Sequence, residues 1–266
     1  YVLSVCDEKD FSEISLLCSI LHYLEEEDFP TTKVLSTNAG AFHLAHDGKP
    51  VYLKQYIEGE VISPLNKQNV YEVGAALARL HAIAPHADLL SYFPYGVESF
   101  AELEERSADS AYLTWLFERR QQIIDACPDT LPRGFIHGDL FYDNMVFVDG
   151  RLAAILDFEE ACEYYLIFDI GMAVIGCCVV DGRFSLDLAA SLVAGYQRVR
   201  TLEPVEREFL QRHVEYGAVA TSFWRYRQYN VRNPDPQMKD HYRAMYDLAC
   251  QVAAVEPAQF SESILG

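Results

Sequence analysis

Residues 135–147 read Phe-Ile-His-Gly-Asp-Leu-Phe-Tyr-Asp-Asn-Met-Val-Phe, and a little further on come Ile155-Leu156-Asp157-Phe158. Short apolar runs of strand character flank an acidic loop: Gly134–His137 before it, Met145–Val148 after it, and Arg151–Asp157 beyond an Asp149-Gly150 turn. That turn folds one strand back on the other, which brings Asn144 toward Asp157. Asp and Asn are ordinary turn formers on a solvated hairpin. Such a hairpin does not require a carboxylate, a carboxamide and a second carboxylate at these fixed spacings.

The chemistry that does require them is phosphoryl transfer. A carboxylate must orient the attacking hydroxyl and accept its proton, and hard oxygen ligands must hold the Mg²⁺ that bridges nucleotide phosphates. His137-x-Asp139, Asn144 and Asp157-Phe158 stand in the order and spacing of a kinase catalytic loop. Asp139 is therefore expected to act as the base, with Asn144 and Asp157 on the metal. His137 is expected to pin the loop by hydrogen bonding to backbone or to Asp157, without doing chemistry.

The surrounding chain suits a folded enzyme. Half of the 266 residues are hydrophobic and 23% are charged, which is ample for a sizeable core. A formal charge of −19 repels phosphate backbones and anionic membranes, so neither nucleic acid nor membrane is an expected partner. The same charge suits a cationic substrate, although acidic surfaces are common in soluble proteins. Seven cysteines without C-x-x-C spacing, several in apolar stretches, read as buried thiols in a reducing cytoplasm. The most apolar run, Ile167 to Val180, contains Asp169 and is too short to span a bilayer. No clustered Cys/His metal site, signal peptide or repeat is apparent, and oligomeric state is not readable. The chain opens on Tyr1 within a strand-like run, so a preceding segment is expected.

Outward from the hairpin, Tyr1–Val5 reads as a strand and 10–27 as an amphipathic helix capped by Asp10 or Ser12. Strands are expected over Lys33–Ser36, Ala41–His46 and Val51–Tyr56. Asp47-Gly48 marks a hairpin between the last two, and Pro50 bounds the final one. Helices are expected at 69–84, within 99–127, and at 167–180, 186–200, 203–230 and 237–254. The fold class is α+β and two-lobed: residues 1–57 form a small β-rich nucleotide-binding lobe, and 58–266 a larger helical lobe carrying the catalytic hairpin. Clefts between such lobes favour ligands.

FIHGDLFYDNMVF followed by AAILDFEEA resembles the aminoglycoside phosphotransferase-like superfamily, whose fold is that of protein kinases. Within it the chain is most similar to homoserine kinases of the kinase-like type. The cues are Phe141 after HGDL, Ser222-Phe-Trp-Arg-Tyr-Arg227, Lys239-Asp240, the Ala76-Leu77-Ala-Arg-Leu80-His81 helix and Asp169 in IFDIG. The resemblance implies ATP and Mg²⁺ and a small alcohol as acceptor, with L-homoserine favoured. It implies that Gln55, Tyr56 and Ile57, in a hinge reaching Glu58, offer backbone groups to adenine. Asp169 is implied to be structural, and Trp224, Arg227 and Tyr142 to border the acceptor pocket, where an Arg fits a carboxylate.

The chain also departs from the pattern. The strand position that holds the phosphate-gripping Lys of kinases is Ser4, so its helix partner, Glu13, lacks a mate. Glu159 replaces the Gly of Asp-Phe-Gly. The net charge of −19 makes a kinase for an aminoglycoside or choline-type cationic alcohol an alternative expectation, and Ser4 makes a nucleotide-binding pseudokinase a further one.

Overall fold

The computed structural model describes residues 1–106 and 110–266. Strand β4 (Lys49–Lys54) is the centre of a four-stranded antiparallel sheet. It pairs with β1 (Val2–Val5) on one side, and with β2 (Val34–Leu35) and β3 (His43–His46) on the other. The Asp47-Gly48 turn has φ of 49° and 78°, the left-handed pair that a tight hairpin needs. The expectation that Pro50 bounds the strand is corrected: Pro50 lies within β4. Its carbonyl accepts from the Cys6 N–H at 3.0 Å, and no donor is required of it there.

Helix α1 (Phe11–Glu26) packs beneath the sheet through Ile14, Leu17, Cys18, Leu21 and Leu24, the stripe that its period predicts. Asp10 caps it, accepting from the Ser12 and Glu13 N–H groups, while the Glu13 carboxylate reaches back to the Asp10 N–H.

The remainder is mainly helical. Helix α2 (Lys67–Leu80) packs on α5 (Leu186–Gln197), and α4 (Leu166–Cys177) packs on α6 (Pro204–Tyr226). Every residue of α4 is buried, as an all-round apolar helix must be. The predicted 99–127 stretch resolves into a 3₁₀ helix, Val97–Arg106, and α3 (Ala111–Asp125); residues 107–109 lie outside the described residues.

Three details differ from the sequence pattern. The run to Val180 does not stay helical: Val179–Val180 (β9) and Arg183–Phe184 (β10) form a hairpin around Asp181-Gly182. Helix α6 gives way to a π-helical turn at Arg227–Arg232. The C-terminal helices are α7 (Arg243–Ala253) and an unexpected α8 (Pro257–Leu265). No helix among the described residues is long and apolar enough to cross a membrane.

The catalytic hairpin pairs β6 (Met145–Val148) with β7 (Arg151–Ile155), while β5 (Arg133–Ile136) pairs with β8 (Cys162–Tyr165). The chain leaving β4 is fastened to this hairpin. Glu60 and Phe147 exchange both backbone hydrogen bonds at 2.9 Å. Gly59, at φ 152°, passes so close that a Cβ there would lie 2.6 Å from the Phe147 carbonyl.

Candidate active site

The loop after β5 is held from behind by one carboxylate. Asp169, fully buried on α4, accepts from the His137 N–H at 2.7 Å, the Gly138 N–H at 2.9 Å and His81 Nε2 at 3.1 Å. Burial pushes its carboxyl up. The His81 bond and charge, with help from His137, outweigh burial and hold it below the ordinary carboxylate range. Gly138 sits at φ 85° with its Cα pressed on the Glu160 carbonyl, where any side chain would collide.

His137 is locked in one tautomer. Its Nδ1 accepts the Asp139 N–H at 3.2 Å, so Nε2 carries the proton and donates to the Leu156 carbonyl at 2.8 Å. Burial lowers its pKa, which matches a neutral ring tying two loops together. It bonds the backbone beside Asp157 and not the Asp157 side chain.

Asn144 follows a 3₁₀ turn at Tyr142–Asn144, and its carbonyl accepts from the Leu156 N–H at 2.8 Å, which sets it next to Asp157. Its Nδ2 donates to the Asp139 carbonyl at 2.8 Å, so Oδ1 is left to face the cleft. Asp157 has left-handed φ and ψ of 65° and 64°, and its side chain is exposed. Phe158, 1% exposed, anchors the turn from below against Phe29 and His137. The φ > 0 kink at a non-glycine residue is the kind of local strain that functional sites hold.

Asp139, Asn144 and Asp157 line a single cleft of about 280 Å³ with Tyr95, Phe141, Asp143, Glu160, Thr221, Trp224 and Arg225. Burial, with Glu160, Asp157 and Asp143 alongside, pushes the Asp139 carboxyl up to about 7, and Arg225 opposes the rise. Glu160 is raised as well, chiefly by burial. The side-chain oxygens of Asn144 and Asp157 are hard donors, and a Mg²⁺ ion would fit them with phosphate and water as its further ligands.

Of the other residues singled out in the sequence, Trp224 lies in the cleft. Tyr142, 39% exposed, lines a neighbouring pocket with Phe141 and Arg225. Arg227 lines an adjoining pocket with Tyr95, Glu160 and Trp224 and pairs with Glu102 at 2.8 Å, which Arg232 shares at 2.8 Å. Glu13 serves the capping box of α1. Ser4 lies opposite Tyr52 on the sheet. At the hinge, the backbone of Gln55 is already engaged: its N–H donates to the Lys33 carbonyl at 2.8 Å and its carbonyl accepts from Thr32 Oγ1 at 2.6 Å. Tyr56 and Ile57 carry no such bonds among the described residues, and Gln55 and Tyr56 line a cavity of about 480 Å³ with Val34 and Leu35. Glu160, Arg225, Tyr95 and Thr221 were not anticipated.

The crowding of carboxylates has a measurable consequence. Asp139 titrates near 7 in the fold and near ~3.9 when unfolded. Between these values the folded state holds a proton that the unfolded state lacks. Stability of the metal-free protein should therefore rise as pH falls from about 7.5 to 5.5. Thermal melts in EDTA should show this rise, and Asp139→Asn should remove a large part of it.

Comparison with known proteins agrees with this geometry. Residues 1–202 match the phosphotransferase enzyme family. The chain belongs to that family. A homoserine kinase of Methylorubrum populi is 31% identical over 216 residues, covering 77% of this chain and 67% of that protein. Among solved structures, a choline/ethanolamine kinase family protein from Mesorhizobium loti matches with a TM-score of 0.70 at 16% identity, covering 99% of this chain and 86% of that one. An amicoumacin kinase in complex with AMP-PNP and Ca²⁺ matches with a TM-score of 0.72 at 12% identity, over 97% and 84% of the two chains. The two structural matches show a shared two-lobed, kinase-like fold. The protein is a small-molecule kinase, and kinases of this family use ATP.

Proposed function

We propose that the chain transfers the γ-phosphoryl group of Mg²⁺-ATP to the side-chain hydroxyl of a small amino acid, L-homoserine. The observation that carries this reading is the make-up of the cleft: one carboxylate placed as base, two oxygens placed for a metal, and the half-buried cation Arg225 among them. Asp139 accepts the proton of the acceptor hydroxyl as that oxygen attacks. Bound Mg²⁺, held by Asn144 and Asp157, supplies charge neutralisation on the phosphates. Arg225, which forms no ion pair among the described residues and feels the charges of Asp139 and Asp143, takes an acceptor carboxylate by two parallel bonds. Glu160, which lines the same cleft, takes the ammonium, and Trp224 and Tyr95 wall the aliphatic part. The likeness to proteins named homoserine kinase supports the same acceptor.

A cationic alcohol without a carboxylate is the second reading, favoured by the extra acid Glu160 and by the net charge of −19. ADP release measured with homoserine, choline and an aminoglycoside separates the two. Homoserine should give the highest kcat/KM. Arg225→Met should raise the KM for homoserine by roughly 10- to 100-fold, the value of a hydrogen bond to a charged group, with the KM for ATP little changed. Faster turnover of choline or the aminoglycoside would remove homoserine as acceptor.

A further inference from the structure

A kinase grips the α- and β-phosphates with a strand Lys, and this chain has Ser4 at that position. The sheet register shows what stands nearby. Ser4 lies directly opposite Tyr52 on β4, and Val2 opposite Lys54. Residues opposite one another, and residues two apart on one strand, share a face. Ser4, Tyr52 and Lys54 therefore all project from the side of the sheet that buries Tyr52 against α1. Lys54 is the diagonal neighbour of Ser4, about 7 Å away and within the reach of a four-carbon stem.

The Lys54 side chain runs back along the sheet toward Ser4. Its Nζ stands 5.6 Å from the centroid of the Tyr52 ring, and its charge is felt by Cys6 and Cys18, on either side of the β1–α1 connection. The ammonium thus lies under β1, and Glu159, next but one to Asp157, acts on both Tyr52 and Cys6 from below. In a chain with 40 acids against 21 bases, this half-buried Lys has no ion pair among the described residues. Its contact with the aromatic face is readily exchanged for an anion.

Lys9 is the other basic side chain here, and it is already engaged. It forms an ion pair with Glu159 at 3.1 Å, with Glu160 and Glu13 adding negative charge around it.

We infer that Lys54 supplies from β4 the cation that β1 lacks, and contacts the α- and β-phosphates of the bound nucleotide. The role of the strand lysine has moved one strand across the sheet while the ammonium stays in the same space. This inference rests on the ATP-dependent reading above and assigns that site its phosphate grip.

Calorimetric binding of Mg²⁺-ATP and of adenosine, to wild type and to Lys54→Met, Lys54→Arg and Lys9→Met, tests it. Lys54→Met should weaken ATP by at least tenfold, about 1.4 kcal/mol, and leave adenosine unchanged, which also shows that the variant is folded. Lys54→Arg should keep most of the affinity, and Lys9→Met should stay within about threefold of wild type. A folded Lys54→Met that binds ATP as wild type does overturns the inference, as does a loss that appears in Lys9→Met instead. Wild type that binds neither ligand overturns the ATP-dependent reading and this inference together.

Discussion

Asp139→Asn is expected to lower kcat by roughly a thousandfold or more, within the range that a positioned general base contributes. The Asn side chain keeps the volume and cannot take the hydroxyl proton. Nucleotide affinity should survive, because the Asp139 backbone carbonyl that positions Asn144, and the Asp157 turn, are untouched. The apo variant should also melt higher than wild type above pH ~7, since a carboxylate crowded by Glu160, Asp157 and Asp143 has been replaced by a neutral group. Losing activity while gaining stability separates a functional residue from a structural one. Wild-type turnover in Asp139→Asn would rule out its role as base.

The second large effect runs the other way. Asp169→Ala strands two buried backbone donors and one imidazole, those of His137, Gly138 and His81. Unsatisfied buried partners of a charged group make this cost about 3–5 kcal/mol. For a chain of this size that is a fall in Tm on the order of 10 °C. Asp169→Asn keeps the shape but offers one acceptor oxygen to three donors, so it should fall between Ala and wild type. Activity should fall with it, because the Gly138 turn positions Asp139. A melting point within a couple of degrees of wild type in Asp169→Ala would show that the loop holds itself.

Local motifs made the catalytic hairpin legible in the sequence. Asp139, Asn144 and Asp157 lie within one strand-turn-strand unit, and Asp149-Gly150 declares its turn. Asp181-Gly182 carries the same signal and was overlooked, because the apolar run before it reads as uninterrupted helix until the hairpin folds. Glu160 gains its meaning only from three dimensions: the left-handed Asp157 and the 3₁₀ turn after it bring Glu160 to the same cleft as Asp139.

Arg225 was within reach of sequence reasoning. Thr221, Trp224 and Arg225 stand at i, i+3 and i+4, one face of α6, and all three line the cleft. Arg227 opens the π-helical turn after α6, pairs with Glu102 and lines the adjoining pocket with Trp224 and Glu160. Helical phase counted from Thr221, four residues earlier, points to Arg225. The hinge was not legible, because the bonds that occupy Gln55 come from Thr32 and Lys33, in the segment that leads into β2.

The paired hydrogen bonds between Glu60 and Phe147 give the molecule a fulcrum. The chain leaving β4 is held at Gln55 and again at Glu60, where it is bolted to the strand that begins just after Asn144. Sliding of the β1–β4 sheet over the cleft would break this bolt and the bond from the Ile155 N–H to the Pro30 carbonyl, which leaves rotation about an axis beside the hairpin. Rotation about an axis next to the hairpin moves the near side of the sheet little and its far side most. Movement is therefore greatest far from Asn144, and the side-chain oxygens of Asn144 and Asp157 keep their spacing.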